Sequence, residues 1–310
     1  MMDASKTKYA FFDGKIISIE DAKISIRTCL IHYGIGIFEG IRAYWNPEKG
    51  ATYIFRVMEH YERMIKNAKI IAMDVPYSSE ELRDITIDLL KKENYKQDTY
   101  IRPLAYYASE NILDKLNSKN YGFFIYTFPM AAILNYKKGL DVCVSSWTRI
   151  NDNTIAPRGK IVGAYVNIAL VNYEAKQNGY DDGIILTQNG HVSEGGGQNL
   201  AIIRGNKFIA PPVSDDILEG ITLDSLITLM NENDLGLEVE RRSIDRTELY
   251  ICDEALYCGT GAQVTPIVSI DKRKVGDGKV GKYTKILQNL FFDVVKGNNK
   301  KYKNWCTPVV

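Results

Sequence analysis

Two short stretches hold residue types that could carry out covalent chemistry on a carbonyl group. The first is APRGKIVGAYVN at 156–167, where small residues lie close to Lys160 and Tyr165 follows five positions later. The second is VSEGGGQN at 192–199, where Glu194 enters a glycine-rich bend. A lysine that attacks a carbonyl needs surroundings that disfavour its protonated form and leave its approach open. These neighbours make Lys160 the candidate nucleophile among the many lysines of the chain.

Two turns of small residues in the second half of the chain could bind an anion. LEGIT at 218–222 precedes a stripe of apolar residues at helical spacing, and CGTGA at 258–262 follows a predicted strand. The first backbone N–H groups of a helix and a threonine hydroxyl are good phosphate donors. Taken alone, each turn is more readily explained as ordinary loop geometry. Neither contains the GxxxxGK[ST] pattern of a P-loop.

A third glycine-containing run, HYGIGIFEGIR at 32–42, resembles a dinucleotide-binding fingerprint but does not match it. Glu39 occupies the place of the third glycine, and no clear strand precedes the run. We interpret it as a close-packed turn in which Tyr33 and Phe38 face apolar surroundings. Two aromatic side chains in an ordinary core explain the spacing equally well.

Two arginines follow or interrupt apolar strands. Arg56 comes after TYIF at 52–55, and Arg102 lies within TYIRPL at 99–104. A buried arginine needs an anionic partner. That partner is either an internal carboxylate or the carboxylate or phosphate of a ligand. Together with a lysine nucleophile, an acid and anion-binding turns, such arginines complete the set of groups that pyridoxal-phosphate chemistry requires.

The whole composition favours an ordinary globular enzyme. The chain has 310 residues, of which 45% are hydrophobic and 25% charged, and its formal net charge is +1. The length predicts about two domains, and the charge gives no reason to expect a nucleic-acid or membrane partner. Five cysteines without a CxxC pair indicate reduced thiols and no structural zinc site. The N-terminus lacks the apolar core of a signal peptide, so we expect a cytoplasmic protein.

Strand and helix signals alternate along the chain and predict a mixed α and β (α+β) fold in two domains. Hairpins are predicted at Asp13-Gly14 and Asn189-Gly190. Helices are predicted over 59–73 and 79–92, the second from a capping start at Ser78, and another just after Thr222. Periodicity is lost after Pro129. We therefore place a smaller domain at 1–130, a linker at 131–139 and a larger domain, with Lys160 and the anion-binding turns, at 140–310.

Seven blocks in this order resemble the class IV aminotransferases, the fold-type IV pyridoxal-phosphate enzymes, and most closely the branched-chain amino acid aminotransferases. The likeness extends from Phe11 to Pro308, and the joint occurrence of the blocks is specific although each block alone is not. The blocks are HYGIGIFEGIR, FRVMEH, YIRPL, GKIVGAYVN, HVSEGGGQN, LEGIT and CGTGAQVTP.

The resemblance implies a role for each matching residue. Lys160 matches the Schiff-base lysine, Tyr165 the tyrosine that hydrogen-bonds the cofactor's ring oxygen, and Glu194 the acid at the pyridine nitrogen. The implied phosphate-binding residues are Arg56, Ile221, Thr222 and Thr260. The implied substrate-binding residues are Tyr33, Phe38, Tyr100, Arg102, Gly261 and Ala262. No metal is implied.

The implied reaction is the transfer of the amino group of L-leucine, L-isoleucine or L-valine to 2-oxoglutarate. The cofactor is pyridoxal 5'-phosphate, and the other small-molecule partners are amino acids and 2-oxo acids. The family assembles at least as homodimers, with the active site at the domain and subunit interface. Three alternatives share the fold: D-amino acid aminotransferase, amine transaminase and aminodeoxychorismate lyase.

Three positions depart from the family's usual pattern. Gln198 replaces a glutamate, Leu223 replaces an arginine that is common after the phosphate-binding threonine, and Ile133 replaces a tyrosine of the pocket. None of the three is a residue to which the resemblance gives a catalytic role. They leave the reaction class unchanged and bear on the substrate range.

Overall fold

The chain divides into two compact units in the computed structural model, which describes residues 6–309. Unit 1 comprises residues 6–131, Gly159–Gly163 and residues 293–309. Unit 2 comprises Ala132–Arg158 and Ala164–Phe292. Lys160 is thus grouped with unit 1, although it lies in the range predicted for the larger domain. The reason is local, because Ile161 forms a β-bridge with Ile37 and Gly163 N–H donates to the Gly34 carbonyl.

The described residues form strands, α-helices and short 3-10 turns. The strands are β1 Tyr9–Phe12, β2 Lys15–Ser18, β3 Gly36–Phe38, β4 Ile41–Asn46, β5 Ala51–Phe55, β6 Thr99–Tyr107, β7 Tyr121–Pro129, β8 Leu140–Thr148, β9 Asp182–Leu186, β10 Val192–Gly195, β11 Asn199–Arg204, β12 Lys207–Ala210, β13 Glu238–Arg241, β14 Glu254–Gly259, β15 Gln263–Ile270, β16 Arg273–Lys274 and β17 Cys306–Val309. The α-helices are α1 Cys29–Tyr33, α2 Val57–Ala68, α3 Ser79–Glu93, α4 Tyr165–Gln177, α5 Ile221–Glu232 and α6 Lys282–Val295. The 3-10 turns are Ile19–Asp21, Lys69–Ile71, Lys115–Asn117, Pro157–Gly159, Val162–Ala164, Val213–Asp215, Arg246–Tyr250 and Lys300–Trp305.

Unit 1 is built on an antiparallel sheet with the strand order β17-β5-β4-β6-β7-β1-β2, and β3 pairs with β6. The predicted Asp13-Gly14 hairpin is confirmed, since β1 and β2 pair across it with Phe12 opposite Lys15. The longest ladder joins β6 and β7, from Thr99 opposite Pro129 to Tyr107 opposite Tyr121. Side chains of β6 alternate between the two faces of the sheet. Tyr100 and Arg102 therefore lie on the same face.

The helices of unit 1 begin where the sequence offers a cap, with one exception. At the start of α3 the Ser78 hydroxyl accepts from the Glu81 N–H, and the Glu81 carboxylate accepts from the Ser78 N–H, which is a complete capping box. The prediction of a helix from 79 to 92 is confirmed. The exception is α2, which begins at Val57, two residues before the predicted start. Its cap, Arg56, has a left-handed backbone with φ of 47° and makes no side-chain capping bond, so the start carries no Ser, Thr, Asp or Asn signal.

Unit 2 is built on a mixed sheet with the strand order β10-β9-β8-β15-β14-β11-β12-β13. The pairs β8–β9, β8–β15 and β12–β13 are parallel, and the other pairs along this order are antiparallel. The predicted Asn189-Gly190 hairpin is confirmed, and the register of β9 and β10 shifts between Val192 and Gly195. This irregularity lies at Glu194. Apolar side chains from β8, β11, β14 and β15 form one buried core cluster.

The helix predicted after Thr222 is α5, which begins two residues earlier than expected, at Ile221. Gly220 is its cap, with φ of −75° and ψ of 125°, and no side chain caps its first turn among the described residues. Within residues 6–309 there is no helix with the length and apolar character needed to cross a membrane. The division at 131–139 stays a prediction of where the domains of the intact protein separate.

Candidate active site

Lys160 has an unusual backbone and a close aromatic neighbour. Its φ is 46°, in the left-handed region that side chains other than glycine seldom adopt. Its carbonyl accepts from the Phe38 N–H at 3.2 Å, and its Nζ lies 5.0 Å from the centroid of the Phe38 ring. Strain of this kind persists only where the surrounding structure imposes it, and it is often found at functional sites.

Three predicted substrate residues of unit 1 lie together around the same ring. The Arg102 Cζ lies 4.4 Å from the Phe38 centroid and 5.2 Å from the Tyr100 centroid, and Arg102 Nη2 donates to the Tyr100 hydroxyl at 3.0 Å. Phe38 and Tyr100 are both buried. Gly40 makes room for Tyr100, because a Cβ there would lie 2.1 Å from the Tyr100 Oη. The structure thus joins an amine, an apolar ring and a guanidinium in one cluster.

A buried ionic network lies directly beside this cluster. The Glu39 carboxylate is 1% exposed and accepts from His60 Nδ1 at 2.8 Å and from Arg63 Nε and Nη2 at 2.7 and 2.8 Å. Burial by itself would raise the pKa of Glu39, but the Arg63 charge and the hydrogen bonds from His60 and Arg63 lower it well below the usual range. Burial lowers the pKa of His60, and the charge of Lys160 contributes in the same direction. Glu39, the residue after Phe38, is therefore held by three hydrogen bonds from His60 and Arg63.

Arg56, predicted to bind phosphate, has an internal partner. Its Nε donates to Glu59 Oε1 at 2.8 Å, its Cζ lies 4.9 Å from the Trp305 ring, and its N–H donates to the Trp305 carbonyl at 2.7 Å. Arg56 thus has an internal carboxylate partner, which is one of the two kinds of partner that the sequence left open. A phosphate role for the same guanidinium stays a prediction, and Glu59, whose side chain is 36% exposed, is placed to orient it.

Tyr33 differs from the other predicted residues of unit 1. It is the last residue of α1, before the left-handed Gly34, and it is 44% exposed. Phe38 is buried and Tyr33 is exposed in the single chain, and the expectation that both face apolar surroundings stays a prediction. A short helix that ends at the turn directs the tyrosine outwards.

Glu194 in unit 2 is held through both of its carboxylate oxygens. It lies on β10 and is 3% exposed. Oε1 accepts from Arg149 Nη2 at 2.7 Å, and Oε2 accepts from Asn199 Nδ2 and from the Leu218 N–H, both at 3.1 Å. A carboxylate with this many charge-assisted and neutral donors is an oriented acceptor. It can hold the proton of a ring nitrogen in place.

The Asn199 side chain links Glu194 to the start of α5. The same Nδ2 donates to the Leu218 carbonyl at 2.9 Å, and a Cβ at Gly220 would lie only 1.8 Å from the Asn199 Oδ1. The Leu218–Gly220 segment therefore packs against Asn199 so closely that only glycine fits. The predicted phosphate-binding residues Ile221 and Thr222 are the first two residues of α5, and both are buried. A helix start of this kind presents N–H groups to an anion.

The remaining predicted residues of unit 2 lie at two chain turns. Tyr165 is the half-buried first residue of α4. Thr260, Gly261 and Ala262 form the turn between β14 and β15, and the Ala262 carbonyl accepts from the Thr265 hydroxyl at 2.6 Å. Gln263, the next residue, has a positive φ of 57°.

The three departures have distinct surroundings. Gln198 donates its amide to the Asp182 carboxylate beneath the glycine-rich bend. Leu223 is buried in the first turn of α5, and Ile133 is 48% exposed near Gly261, where an added Cβ would lie 3.1 Å from its Cδ1. In the part of the chain that the structure describes, no three His, Cys, Asp or Glu side chains are placed to hold a metal ion.

Comparison with known proteins identifies the family. The sequence model of the amino-transferase class IV family matches residues 36–270, about three quarters of the chain. The chain belongs to the class IV aminotransferases. A probable branched-chain-amino-acid aminotransferase of Aquifex aeolicus is 47% identical to this aminotransferase over 309 residues, which cover all of this chain and 99% of that one.

Solved structures show the same fold. The branched-chain aminotransferase of Thermoproteus uzoniensis with norvaline superposes with a TM-score of 0.93 at 37% identity, covering 98% of this chain and 100% of that one. A T.th. branched-chain amino acid aminotransferase complexed with N-(5'-phosphopyridoxyl)-L-glutamate has a TM-score of 0.91 at 34% identity, covering 98% and 99%. The predicted α+β, fold-type IV architecture of this aminotransferase is confirmed.

Sequence reasoning missed the groups that hold the site residues of this aminotransferase. None of the residues that contact the buried carboxylates of Glu39 and Glu194 was predicted, and these residues are Arg149, Asn199, His60 and Arg63. Their partners are 5 to 45 positions away in the sequence, by the residue numbers. The available signal was the presence of Glu39 in an apolar stretch and of Glu194 in a glycine-rich one, because a carboxylate that is buried requires a donor.

Proposed function

We propose that this aminotransferase moves the amino group of L-leucine, L-isoleucine or L-valine to 2-oxoglutarate in a reversible, ping-pong reaction with pyridoxal 5'-phosphate as cofactor. The observation that carries the substrate assignment is the Phe38 cluster. An apolar ring lies next to the Lys160 amine, and the Arg102 guanidinium lies over the same ring. Such a surface suits an aliphatic side chain, and the guanidinium suits the side-chain carboxylate of glutamate.

The residues present fit the cofactor. Pyridoxal phosphate has an aldehyde, a pyridine nitrogen and a phosphate, and the chain offers an amine, a buried carboxylate and a helix start to match them. Gly220 can carry no Cβ, so the entry to α5 keeps its shape close to the backbone amides. In the proposed arrangement Ile221, Thr222, Thr260 and Arg56 hold the phosphate, and Tyr165 donates to the ring oxygen. When bound, the cofactor supplies a ring that stabilises negative charge at the substrate Cα.

The chain's own residues then have separate tasks. Lys160 would hold the cofactor through its Nζ, and the same Nζ would move the proton at the substrate Cα. Glu194 keeps a proton on the pyridine nitrogen. Tyr100 and the Gly261–Ala262 turn seat the α-carboxylate, while Phe38 contacts the aliphatic side chain.

The substrate class follows from the relatives as well as from the cluster. The Aquifex aeolicus protein is named as a probable branched-chain-amino-acid aminotransferase, and the Thermoproteus uzoniensis structure contains norvaline. The T.th. structure contains a phosphopyridoxyl derivative of L-glutamate. We propose that this chain likewise accepts both aliphatic amino acids and L-glutamate. An apolar pocket separates substrates that differ by one methylene by only about 1–3 kcal/mol, so all three branched-chain amino acids are accepted.

We further propose that the enzyme is a homodimer or a larger homo-oligomer. Unit 1 exposes several large apolar side chains near α1 and the 109–117 segment, which adjoin where Cys29 Sγ lies 3.8 Å from the Asn111 carbonyl. The exposed residues are Ile26 (80%), Leu113 (78%), Ile31 (55%) and Leu116 (46%). An apolar surface of this kind is typical of an interface, and a second copy would also cover Tyr33.

Sedimentation velocity tests the assembly. Leu113→Asp should shift the enzyme towards the monomer, whereas Ile251→Asp, at a 65% exposed position of unit 2, should not. A wild-type monomer at micromolar concentration would overturn the proposal. A cytoplasmic location also belongs to the proposal, and five buried, unpaired cysteines among residues 6–309 support it.

The reaction itself is tested by absorbance. The spectrum of the purified enzyme with bound pyridoxal phosphate should change when L-leucine is added and return when 2-oxoglutarate follows. A spectrum that stays constant with L-leucine would overturn the substrate assignment. D-alanine, a primary amine and aminodeoxychorismate, tested in parallel, would then identify the alternative reaction.

The role of Lys160 is tested by substitution and by covalent labelling. Lys160→Ala should abolish transamination, and borohydride reduction of the wild type should place a phosphopyridoxyl group on the Lys160 peptide, as read by mass spectrometry. Lys66→Ala, at an exposed lysine of α2, is the matched control and should retain activity. Substantial turnover by Lys160→Ala, or a label on another lysine, would refute the assignment.

Arg102 is tested by comparing two substrates. Arg102→Met should raise the KM for L-glutamate and 2-oxoglutarate by about tenfold or more, on the scale of one lost charge-assisted bond, and should change the KM for L-leucine less. Arg83→Met, at a partly exposed arginine of α3, is the control. Equal changes for both substrates would show that Arg102 does not contact the side-chain carboxylate.

A further inference from the structure

Glu194 is a buried carboxylate of unit 2 that is held through both oxygens, and its one charged contact comes from a residue outside all seven sequence blocks. Arg149 Nη2 lies 2.7 Å from Glu194 Oε1, and both side chains are 4% exposed. The other oxygen, Oε2, receives the two neutral donors Asn199 Nδ2 and Leu218 N–H. Arg149 thus brings a positive charge to the carboxylate, and it meets a different oxygen from the neutral donors.

The Arg149 residue is itself held in place at two further points. Its Nε donates to the Asp216 carbonyl at 3.1 Å, and its backbone N–H donates to the Leu186 carbonyl at 2.8 Å. A planar guanidinium can serve Asp216 and Glu194 at once from fixed directions, which a lysine ammonium cannot do. The geometry therefore determines both the position of the positive charge and the plane in which it meets the carboxylate.

This charge matters because Glu194 is buried. A carboxylate removed from water without a positive partner favours its neutral form. A neutral carboxylic acid would hold the proton of a pyridine nitrogen less firmly than a carboxylate does. The ring then accepts electrons less readily, since its electron demand depends on that proton.

We propose that Arg149 is a positioning residue for transamination, which keeps Glu194 charged and oriented and so determines how firmly the pyridine nitrogen of the cofactor is protonated. The inference rests on the proposed function. Asn199 has the complementary task, because it joins Glu194 Oε2 to the Leu218 carbonyl ahead of α5. The acid and the phosphate-binding helix start are thereby fixed to one another within unit 2.

Arg149→Met tests the role of the charge with a side chain of similar length. The enzyme is loaded with pyridoxal phosphate labelled with ¹⁵N in the ring, and the nitrogen chemical shift is compared with that of the wild type. We expect the shift to move towards the value of an unprotonated pyridine. We also expect kcat with L-leucine to fall about tenfold or more, on the scale of one pKa unit per factor of ten, while the KM changes less.

The pH profile separates this role from mere structural support. The acid limb of kcat should move to higher pH in Arg149→Met, because the positive charge that lies 2.7 Å from Glu194 Oε1 is removed. Arg149→Lys keeps a positive charge at this position but lacks the planar guanidinium. Its ¹⁵N chemical shift should therefore lie between those of Arg149→Met and the wild type. Arg273→Met, at an exposed arginine of β16, is the matched control and should leave the shift and the profile unchanged.

A lower kcat with an unchanged ¹⁵N shift and an unchanged acid limb would overturn the proposal and leave Arg149 with a structural role only. If Arg149→Met does not accumulate as folded protein, Arg149→Gln, which retains N–H donors without charge, decides the matter by the same two measurements. A wild-type enzyme that binds pyridoxal phosphate but does not transaminate L-leucine would refute the proposed function alone. The ¹⁵N signal still reports on Arg149 without turnover.

Discussion

The buried Glu39 network makes a quantitative prediction about stability. Glu39→Gln keeps the shape of the side chain but removes the negative charge that receives two hydrogen bonds from Arg63 and one from His60. Arg63, whose side chain is 12% exposed, then loses the negative charge of the group that accepts from its Nε and Nη2. Removing one partner of a buried pair costs about 3–5 kcal/mol, and we expect a loss in that range at pH 7.

The loss should depend on pH with a defined sign. The pKa of Glu39 is lowered in the folded protein, so its contribution to stability is complete above the unfolded value of about 4.3 and declines as the pH falls towards the folded value. The difference in unfolding free energy between wild type and Glu39→Gln should therefore be constant from about pH 8 to pH 5. Below about pH 4 it should shrink by about 1.4 kcal/mol per pH unit.

Urea unfolding at a fixed excess of pyridoxal phosphate, followed by circular dichroism and by tryptophan fluorescence, measures this difference. Glu62→Gln, at an exposed position of α2, is the matched control and should stay within about 0.5 kcal/mol of the wild type. A difference below about 1 kcal/mol at pH 7 would refute the reasoning. So would a difference that remains the same between pH 5 and pH 3.

Two further predictions concern unit 2. Gly220→Ala places a Cβ 1.8 Å from the Asn199 Oδ1, so the start of α5 must shift. The dissociation constant for pyridoxal phosphate, measured by fluorescence titration, should therefore rise about tenfold or more. Gly236→Ala, where φ is 68° and a Cβ would meet open space, should cost some folding stability but leave that constant unchanged. Burial raises the pKa of Asp182 to about 6, so the folded state favours its protonated form and stability declines as the pH rises from about 4 to 6. Asp182→Asn can still accept from Gln198 and should remove that decline, which amounts to up to about 3 kcal/mol of unfolding free energy. Urea unfolding at pH 4 and pH 7 measures the decline. An unchanged decline in the variant would show that Asp182 is not its cause.

Local signals predicted the elements whose start or turn depends on neighbouring residues. The capping box at Ser78 and the hairpin at Asp13-Gly14 were predictable because all of the atoms that form them lie within four residues. The start of α2 was not, since Arg56 begins it with a left-handed backbone that is held by the distant Trp305 carbonyl. Tertiary contacts determined that boundary.

The same distinction applies to the site. Lys160, Glu194 and Arg102 were predicted because a reactive or charged side chain in apolar or glycine-rich surroundings is visible in the sequence itself. The partners of Glu39 and Glu194 were not predicted, because no spacing rule connects Glu39 with Arg63 across β4, β5 and part of α2, or Arg149 with Glu194 across α4 and β9. Those pairs form only when each unit has folded, since their members are distant in the sequence.

The two buried arginine–carboxylate pairs are better explained by function than by stability. Replacing a whole buried ion pair by apolar residues is often neutral or stabilising, so a pair such as Arg63–Glu39 contributes little that a leucine pair could not. What apolar residues could not supply is a fixed charge beside a reacting group. The charge of Lys160 contributes to the lowered pKa of His60, which places the candidate nucleophile within electrostatic reach of the Glu39 network. In unit 2 Arg149 lies beside the acid Glu194 itself, so each unit holds an arginine–carboxylate pair that either adjoins or includes one of the two residues on which the proposed chemistry depends.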